Sequence, residues 1–398
     1  MRVILPEGET EGNPAQASFS RLESAADAAM TYFYGQLFAM EPEIAAMFPA
    51  GLDAQRRRMF RALAKIAADG DDLVPYLQRL GRAHRKDGIR DRHFDVFRRA
   101  LLATLQRFCG DAFDGAAWES AFDRAAGVMM TAAAADPTPA WWIGTVTKTE
   151  LRAPGIAVLT VHPDQPVPYL PGQHVSVQTL HWPRQWRTYS IANAPRADGT
   201  LSLHIRAVKG GMVSHALVHH VAAGDPLVLG APSGAMTVDT SSTRDVLCLA
   251  GGTGLAPVKA IVEALAQAGA SPRSGTGPQS GAGPQSRTGP HGKRREIALY
   301  VGARRHRDLY DLADLRELEL AYPWLQVIPA VSSEPAGASE VSTMSGTLSE
   351  LAVRAGWPGR DIYVSGPDQM IVKTVRVLRD LGAPPERIHY DLPCEDLG

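Results

Sequence analysis

One histidine stands out by its place in a helical pattern. His84 continues the apolar stripe Leu73, Leu77, Leu80, so it faces the same core as they do, and Lys86-Asp87-Gly88-Ile89 behind it supplies a helix stop. The helices ahead of it carry an apolar surround with two isolated polar residues, Tyr34 and Gln55. A lone helical histidine is usually a surface residue or a satisfied core residue. Here an imidazole on one side, hydrogen-bonding groups on the other and apolar walls between are what a gas-binding heme needs. A second chemical signal lies far downstream, in Ala250-Gly251-Gly252-Thr253-Gly254-Leu255-Ala256-Pro257. It joins a buried-type strand to an amphipathic helix, where backbone amides at the helix N-terminus suit a pyrophosphate. Its glycine spacing is not that of the usual dinucleotide fingerprint, so alone it is a weak signal. Arg304, Arg305 and Arg307 follow the next strand and would either hold a 2′-phosphate, favoring NADPH, or form a solvated basic loop.

Three kinds of punctuation divide the elements that must position these residues. From Pro14 to Ala135 glycine is sparse and apolar residues recur at helical spacing. The stripes are Met30, Tyr34, Leu37, Phe38; then Gln55, Met59, Ala62, Leu63, Ile66; then Phe94, Phe97, Leu101, Leu105, Phe108; then Trp118, Phe122, Ala125, Ala126, Met129, Met130. Asp136-Pro-Thr-Pro-Ala140 cannot continue a helix and reads as a stiff linker, with Trp141-Trp142 clamping the next domain. Short alternating segments come next: Gly144–Glu150, Ile156–Val161, His174–Gln178, Arg187–Ala192, Leu201–Val208 and Pro226–Leu229. Turn residues separate them, which predicts an antiparallel sandwich or barrel. From Arg244 onward strands at Asp245–Ala250, Glu296–Val301, Leu325–Val331 and Asp361–Ser365 alternate with helices, beginning with Pro257–Ala268. That predicts a doubly wound α/β sheet. Three near-copies of a hexapeptide starting at Ser274, Ser280 and Ser286 contain no core-forming residue and read as a disordered surface insertion over 271–294.

Composition narrows the classes. The 398 residues carry 41 Lys+Arg against 42 Asp+Glu, a net charge of -1, which argues against nucleic-acid or membrane binding through bulk charge. Cys109, Cys248 and Cys394 form no close pair, so a disulfide scaffold, a thiolate zinc site and a cysteine-ligated iron–sulfur cluster are excluded. Acidic residues Glu7, Glu9 and Glu11 follow the short apolar start, and the longest apolar run, Ala125 to Ala135, falls short of a membrane span. The expectation is a cytoplasmic monomer acting on small molecules. Its expected parts are a disordered tail at 1–15, a helical domain at 16–136, a barrel at 142–240 and an α/β domain at 241–398.

Several of these segments together resemble a known family. Phe33-Tyr34-x-x-Leu37-Phe38, Pro42-Glu43-Ile44-x-x-Met47-Phe48, Gln55-Arg56, His84-x-x-x-Gly88-Ile89 and His93-Phe94 look like the globin domain of bacterial flavohemoglobins. The resemblance implies that His84 is the proximal iron ligand, that Tyr34 hydrogen-bonds bound O2, that Gln55 lies above the iron beside Met59, and that Phe48 wedges the heme. Arg187-Thr188-Tyr189-Ser190 resembles the flavin-binding strand of the ferredoxin-reductase-like module in the same family. There Arg187 would meet the pyrophosphate, Tyr189 would stack beside the isoalloxazine and Ser190 would hydrogen-bond its N5. Pro171-Gly172-Gln173-His174 lies upstream where the family has an aromatic after the glutamine, and Gly210-Gly211-Met212-Val213-Ser214 is similar to its loop-to-helix phosphate turn. That resemblance assigns His174, Gly211, Val213 and Ser214 to the flavin. Gly251, Gly252, Thr253, Gly254 and Pro257, with Gly366 and Pro367 of Ser365-Gly366-Pro367, it assigns to the nicotinamide cofactor.

The fold so implied is an all-α globin, then an antiparallel β-barrel FAD domain, then a doubly wound α/β NAD(P) domain. The implied cofactors are heme b, FAD and NAD(P)H. The implied activity is nitric oxide dioxygenation, with electrons passing from NAD(P)H to FAD to heme and O2 oxidizing NO to nitrate. A flavin reductase serving another oxidant or oxygenase, and an O2-binding or sensing heme protein kept ferrous by its reductase, stay open. The chain departs from the family at further places. Many members back the proximal histidine with a Tyr–Glu pair, and here Phe94 and Ala133 stand at those positions. His84 is therefore expected to donate to a backbone carbonyl, giving stable O2 binding and poor peroxidase-like chemistry. Ala83 replaces a lysine, and Asp391-Leu392-Pro393 replaces a C-terminal aromatic beside the flavin.

Overall fold

The computed structural model describes residues 14–49, 51–269, 295–334 and 342–392. Most of the expected N-terminal tail, the hexapeptide repeats, Pro393 and Cys394 lie outside them. Two compact units divide the chain near Trp141–Trp142.

The first unit is helical: α1 Pro14–Glu23, α2 Ala26–Met40, α3 Pro42–Ala45, α4 Asp53–Ala68, α5 Leu73–His84, α6 Asp91–Cys109 and α7 Gly115–Ala134. The stripes read from sequence turn inward to one core that includes Met30, Phe33, Leu37, Leu63, Leu77, Leu101, Leu105 and Trp118. Asp114 caps α7 by accepting from the Ala117 amide at 2.9 Å. The α5–α7 contact is backbone on backbone at Gly81, where a Cβ would overlap the Met129 carbonyl oxygen. That close approach sets the depth of α5 and hence of His84 at its end. A short 3-10 turn, Arg85–Asp87, and Gly88 at φ +75° then stop the helix as expected. Arg85 also ties down the linker: it pairs with Asp136 at 3.0 Å and donates to the Thr138 carbonyl. Asp136 accepts in turn from the Thr138 amide and hydroxyl.

The second unit holds two sheets. Strands β1 Trp141–Ala153, β2 Ile156–Pro163, β3 His174–Thr179, β4 Arg187–Ser190, β5 Leu201–Arg206 and β6 Pro226–Gly230 form the antiparallel one, in the order β4-β3-β6-β1-β2-β5. Its two edges meet at a single bridge, Ile191 to Leu203, so the sheet is nearly closed. β4 is shorter than the alternation predicts: the Ile191 amide still bonds the Gln173 carbonyl at 3.0 Å, just ahead of β3, and the Ala192 amide turns to the Ser202 carbonyl of β5 at 2.8 Å. Inward positions such as Val146, Leu159, Val177, Leu203 and Leu229 fill the interior. Of the tandem tryptophans only Trp142 enters this core, its indole donating to the Pro166 carbonyl at 3.2 Å; Trp141 is 47% exposed. Helix α8, Met212–His219, follows β5.

The second sheet is parallel throughout. It comprises β7 Val246–Gly251, α9 Leu255–Gly269, β8 Ile297–Ala303, α10 Leu312–Ala321, β9 Leu325–Val331, β10 Met344–Ser345, α11 Leu348–Ala352, β11 Asp361–Ser365, α12 Asp368–Asp380 and β12 Ile388–His389. The strand order β10-β9-β8-β7-β11-β12 reverses direction of growth between β7 and β11, the switch point where such sheets take ligands. Separate cores cover its two faces, and every residue of β7 is buried. A charge network links this sheet to the antiparallel one: Lys259 pairs with Asp311 at 2.6 Å and Asp314 at 3.3 Å, and Arg152 of β1 reaches Asp314 at 3.0 Å. Among the described residues no helix is long and apolar enough to cross a membrane.

Candidate functional site

In the helical unit Tyr34 comes from α2, Gln55 and Met59 from α4, and His84 from the last turn of α5. Tyr34 is buried within an aromatic group, edge-on to Phe48 at 5.5 Å between ring centers and next to Phe33 and Phe38. Burial holds its hydroxyl well above the ordinary tyrosine range, so it keeps its proton and acts as a donor. Among the described residues that hydroxyl has no hydrogen-bond partner. Phe48, Met59, Phe94 and Phe97 pack on the core while remaining partly uncovered, as apolar walls do around a flat ligand. Met47 Cε comes within 3.8 Å of a Cβ built at Gly88, so the Phe48 segment and the turn after His84 adjoin.

Burial pushes the His84 imidazole down to about 4, leaving it neutral and able to ligate iron. The expected bond from His84 Nδ1 to a carbonyl is absent: among the described residues Nδ1 is sealed from solvent without a partner. The carbonyls at the end of α5 serve other donors. The Arg85 amide takes the Arg82 carbonyl, Lys86 Nζ takes the Ala83 carbonyl at 3.3 Å, and the Ile89 amide takes the His84 carbonyl at 3.4 Å. Phe94 and Ala133 offer no side-chain acceptor in place of these carbonyls. Apolar side chains, a neutral imidazole and the Tyr34 hydroxyl are groups that fit heme, and the His84 ring has no brace at Nδ1.

In the second unit a cleft of about 1200 Å3 opens over the switch point. That exceeds the ~300–1,000 Å3 of a pocket for one small ligand, so it has room for two. His174, Tyr189, Ser190, Gly251, Gly252, Thr253, Gly254, Pro257, Gly366 and Pro367, all singled out from sequence, line it together. The turns after β7 and β11 touch through backbone: a Cβ on Gly254 would overlap the amide of Gly366. Burial holds the Tyr189 hydroxyl protonated. His174 bonds the Ser233 hydroxyl through Nε2 at 2.9 Å, and its Nδ1 lies 3.8 Å from Asp391. Asp391 also accepts from the Ala235 amide at 3.0 Å, so the C-terminal segment that lacks the family's aromatic is stitched to the cleft by a carboxylate.

Four sequence assignments do not reach this cleft. Arg187 is exposed and donates to the Trp186 carbonyl at 2.8 Å. Val213 is a core residue of the antiparallel sheet. Ser214 is used locally, accepting from the Val208 amide at 3.2 Å and donating to the Gly211 carbonyl at 3.0 Å. Gly211 lines a separate hollow of about 480 Å3 with Gly210, Met212, Trp182 and three histidines, His181, His215 and His220. Conversely, Arg206 and His204 of β5 line the main cleft and carried no sequence signal. The Arg206 guanidinium lies against Gly252, and His204 Nδ1 pairs with the Tyr310 hydroxyl at 2.7 Å.

Comparison with known proteins agrees with this arrangement. Residues 31–129 match the globin family, 154–238 the oxidoreductase FAD-binding domain and 248–376 the oxidoreductase NAD-binding domain. The chain is similar to the ferredoxin–NAD(P)+ reductase component of the naphthalene 1,2-dioxygenase system of Pseudomonas putida, 31% identical over 250 residues, 62% of this chain and 67% of that one. It is also similar to a flavohemoprotein of Bordetella parapertussis, 27% identical over 407 residues, 93% of this chain and 94% of that one. A solved flavohemoglobin from Malassezia yamatoensis shares the fold with a TM-score of 0.75 at 16% identity, over 97% of this chain and 99% of that one. With a globin, an FAD-binding domain and an NAD-binding domain in that order, and flavohemoprotein relatives aligned along nearly its whole length, the chain belongs to the flavohemoproteins, oxidoreductases that work with heme, FAD and a nicotinamide dinucleotide.

Proposed function

We propose that the chain is an NAD(P)H-dependent nitric oxide dioxygenase built from a heme domain at 16–136, an FAD domain at 142–240 and an NAD(P) domain at 241–398. When bound, the nicotinamide supplies hydride, the flavin splits it into single electrons, and the heme supplies the O2 chemistry that converts NO to nitrate. His84 would hold the iron. Tyr34 and Gln55 would face the other side of the heme, with Phe48 and Met59 as apolar walls that exclude water. Tyr189, Ser190 and His174 would hold the flavin ring, Arg206 would offset phosphate charge, and the turn at Gly210–Met212 would take the far end of FAD. Gly251–Gly254, Pro257, Gly366 and Pro367 would take the nicotinamide dinucleotide.

The observation that carries this reading is Tyr34, a residue buried among Phe33, Phe38 and Phe48 whose protonated hydroxyl no described residue uses. A donor left free on an apolar wall can hydrogen-bond a small polar ligand held beside it, a bond worth roughly 0.5–1.5 kcal/mol. Removing it should matter to a reaction that holds O2 there. NO consumption by the purified chain under air, with NADH or NADPH, should fall by up to about tenfold in Tyr34→Phe. Unchanged NO consumption would refute the distal role. Nicotinamide turnover at one rate with and without NO would instead favor a reductase serving a separate oxygenase. The 31% identity to a dioxygenase-system reductase supports that second reading.

A further inference from the structure

The cleft over the switch point has a basic end that the dioxygenase reading does not use. Strand β8 lies beside β7, with Ala250 paired to Val301 and Gly251 to Gly302, so the residues just past β8 stand next to the glycine turn. In sheets of this kind that position contacts the ribose that carries adenine. An acid there accepts from a 2′-hydroxyl, whereas a cation accommodates a 2′-phosphate. Here the position carries Arg304, Arg305 and Arg307, all exposed and all lining the cleft, with Ser332 and Thr347 beside them.

The turn that presents these arginines is braced from behind. His306 points away from them: its Nδ1 meets Glu334 at 2.7 Å, its Nε2 meets the Thr343 hydroxyl at 2.9 Å, and its amide donates to the same Glu334 oxygen at 2.9 Å. Glu334 hydrogen-bonds His306, and its charge also acts on Arg305 from outside ion-pair distance. The Ser333 amide bonds the Arg304 carbonyl at 3.0 Å, which holds the end of β8 against the end of β9. Among the described residues no carboxylate forms an ion pair with Arg304, Arg305 or Arg307; Asp308 is the one acid that shares the lining beside them. Three guanidinium groups on a braced turn, open to the cleft, supply the charge that a phosphate dianion needs.

We propose that Arg304, Arg305 and Arg307 form a 2′-phosphate site, so that the reductase selects NADPH over NADH. The proposal rests on the cleft being the dinucleotide site. The test is calorimetric titration of the purified chain with adenosine 2′,5′-bisphosphate and with 5′-AMP, which differ only in the 2′-phosphate. The bisphosphate should bind more tightly by about 10–100-fold. A triple variant, Arg304→Gln with Arg305→Gln and Arg307→Gln, should bind both ligands alike while keeping its 5′-AMP affinity, which also shows that it is folded. Equal binding of the two ligands by the unaltered chain overturns the proposal and leaves the cleft reading standing. So does a preference that survives in the triple variant. Binding of neither ligand overturns the cleft reading and the proposal together.

Discussion

Replacing Gly254 with alanine tests whether the two glycine turns work as one surface. The added Cβ would overlap the amide nitrogen and Cα of Gly366 and the carbonyl carbon of Ser365. All three are backbone atoms, so no side-chain rotation relieves the clash. If the strain is absorbed in place, overpacking costs about 1–3 kcal/mol. In a unit of this size that lowers Tm by roughly 2–10 °C. If the turns part instead, amides aimed at the cofactor move off target, and each lost charge-assisted hydrogen bond weakens binding by about 10–150-fold. Differential scanning calorimetry and titration with NADP+ measure the two effects on the same sample. Gly127 of α7 is the control, since a Cβ there meets nothing within 4 Å. Gly127→Ala should stabilize by up to about 1 kcal/mol. A Gly254→Ala protein with unaltered Tm and unaltered NADP+ affinity would mean that the turns are not in contact and that the switch point is not where the dinucleotide binds.

Two further outcomes stem from buried groups. Asp361 opens β11 with a side chain only 4% exposed, accepting from Arg244 at 2.7 Å and from Arg295, itself 9% exposed, at 2.9 Å. Asp361→Ala removes the carboxylate and leaves Arg295 with the Arg244 and Asp239 carbonyls, and should cost about 1–3 kcal/mol in urea unfolding; an unchanged stability would show the pair to be solvated. Burial pushes the His204 imidazole down from an ordinary 6.5 to about 3. Between those values the unfolded chain binds the extra proton, so this residue makes stability rise with pH, by about 1.4 kcal/mol per pH unit, and contributes nothing further above the unfolded value. His204→Gln should flatten the stability profile between pH 5 and pH 6 by that amount; parallel profiles for the two proteins would place His204 in water.

Which residues could be read in advance depends on how local their constraint is. Gly251–Gly254 and Gly366 were legible because close backbone approach demands glycine within the segment itself. His84 was legible because three leucines of its own helix aim it. Residues defined by a partner far along the chain were not. Arg206 ends an ordinary alternating strand, Leu201–Arg206, and there an arginine reads as solvated. Only the meeting of β5 with the turn after β7 brings it to Gly252. Arg187 shows the converse: a motif can name a residue type, but the course of β4 decides whether its side chain faces the cleft, and this one stays outside. Ser214 stays out of the cleft for a third reason. A serine three residues past Gly211 finds a local carbonyl and amide before any phosphate, a competition settled by turn geometry that residue types do not encode. The two-residue strands β10 and β12 have too few residues to show a period and exist only because β9 and β11 offer them an edge. The bare Nδ1 of His84 joins both limits. The sequence places the ring, and the absence of a Tyr–Glu brace is visible at Phe94 and Ala133. That no described acceptor comes within reach of Nδ1 depends on how the helix ends, which is a property of the folded turn.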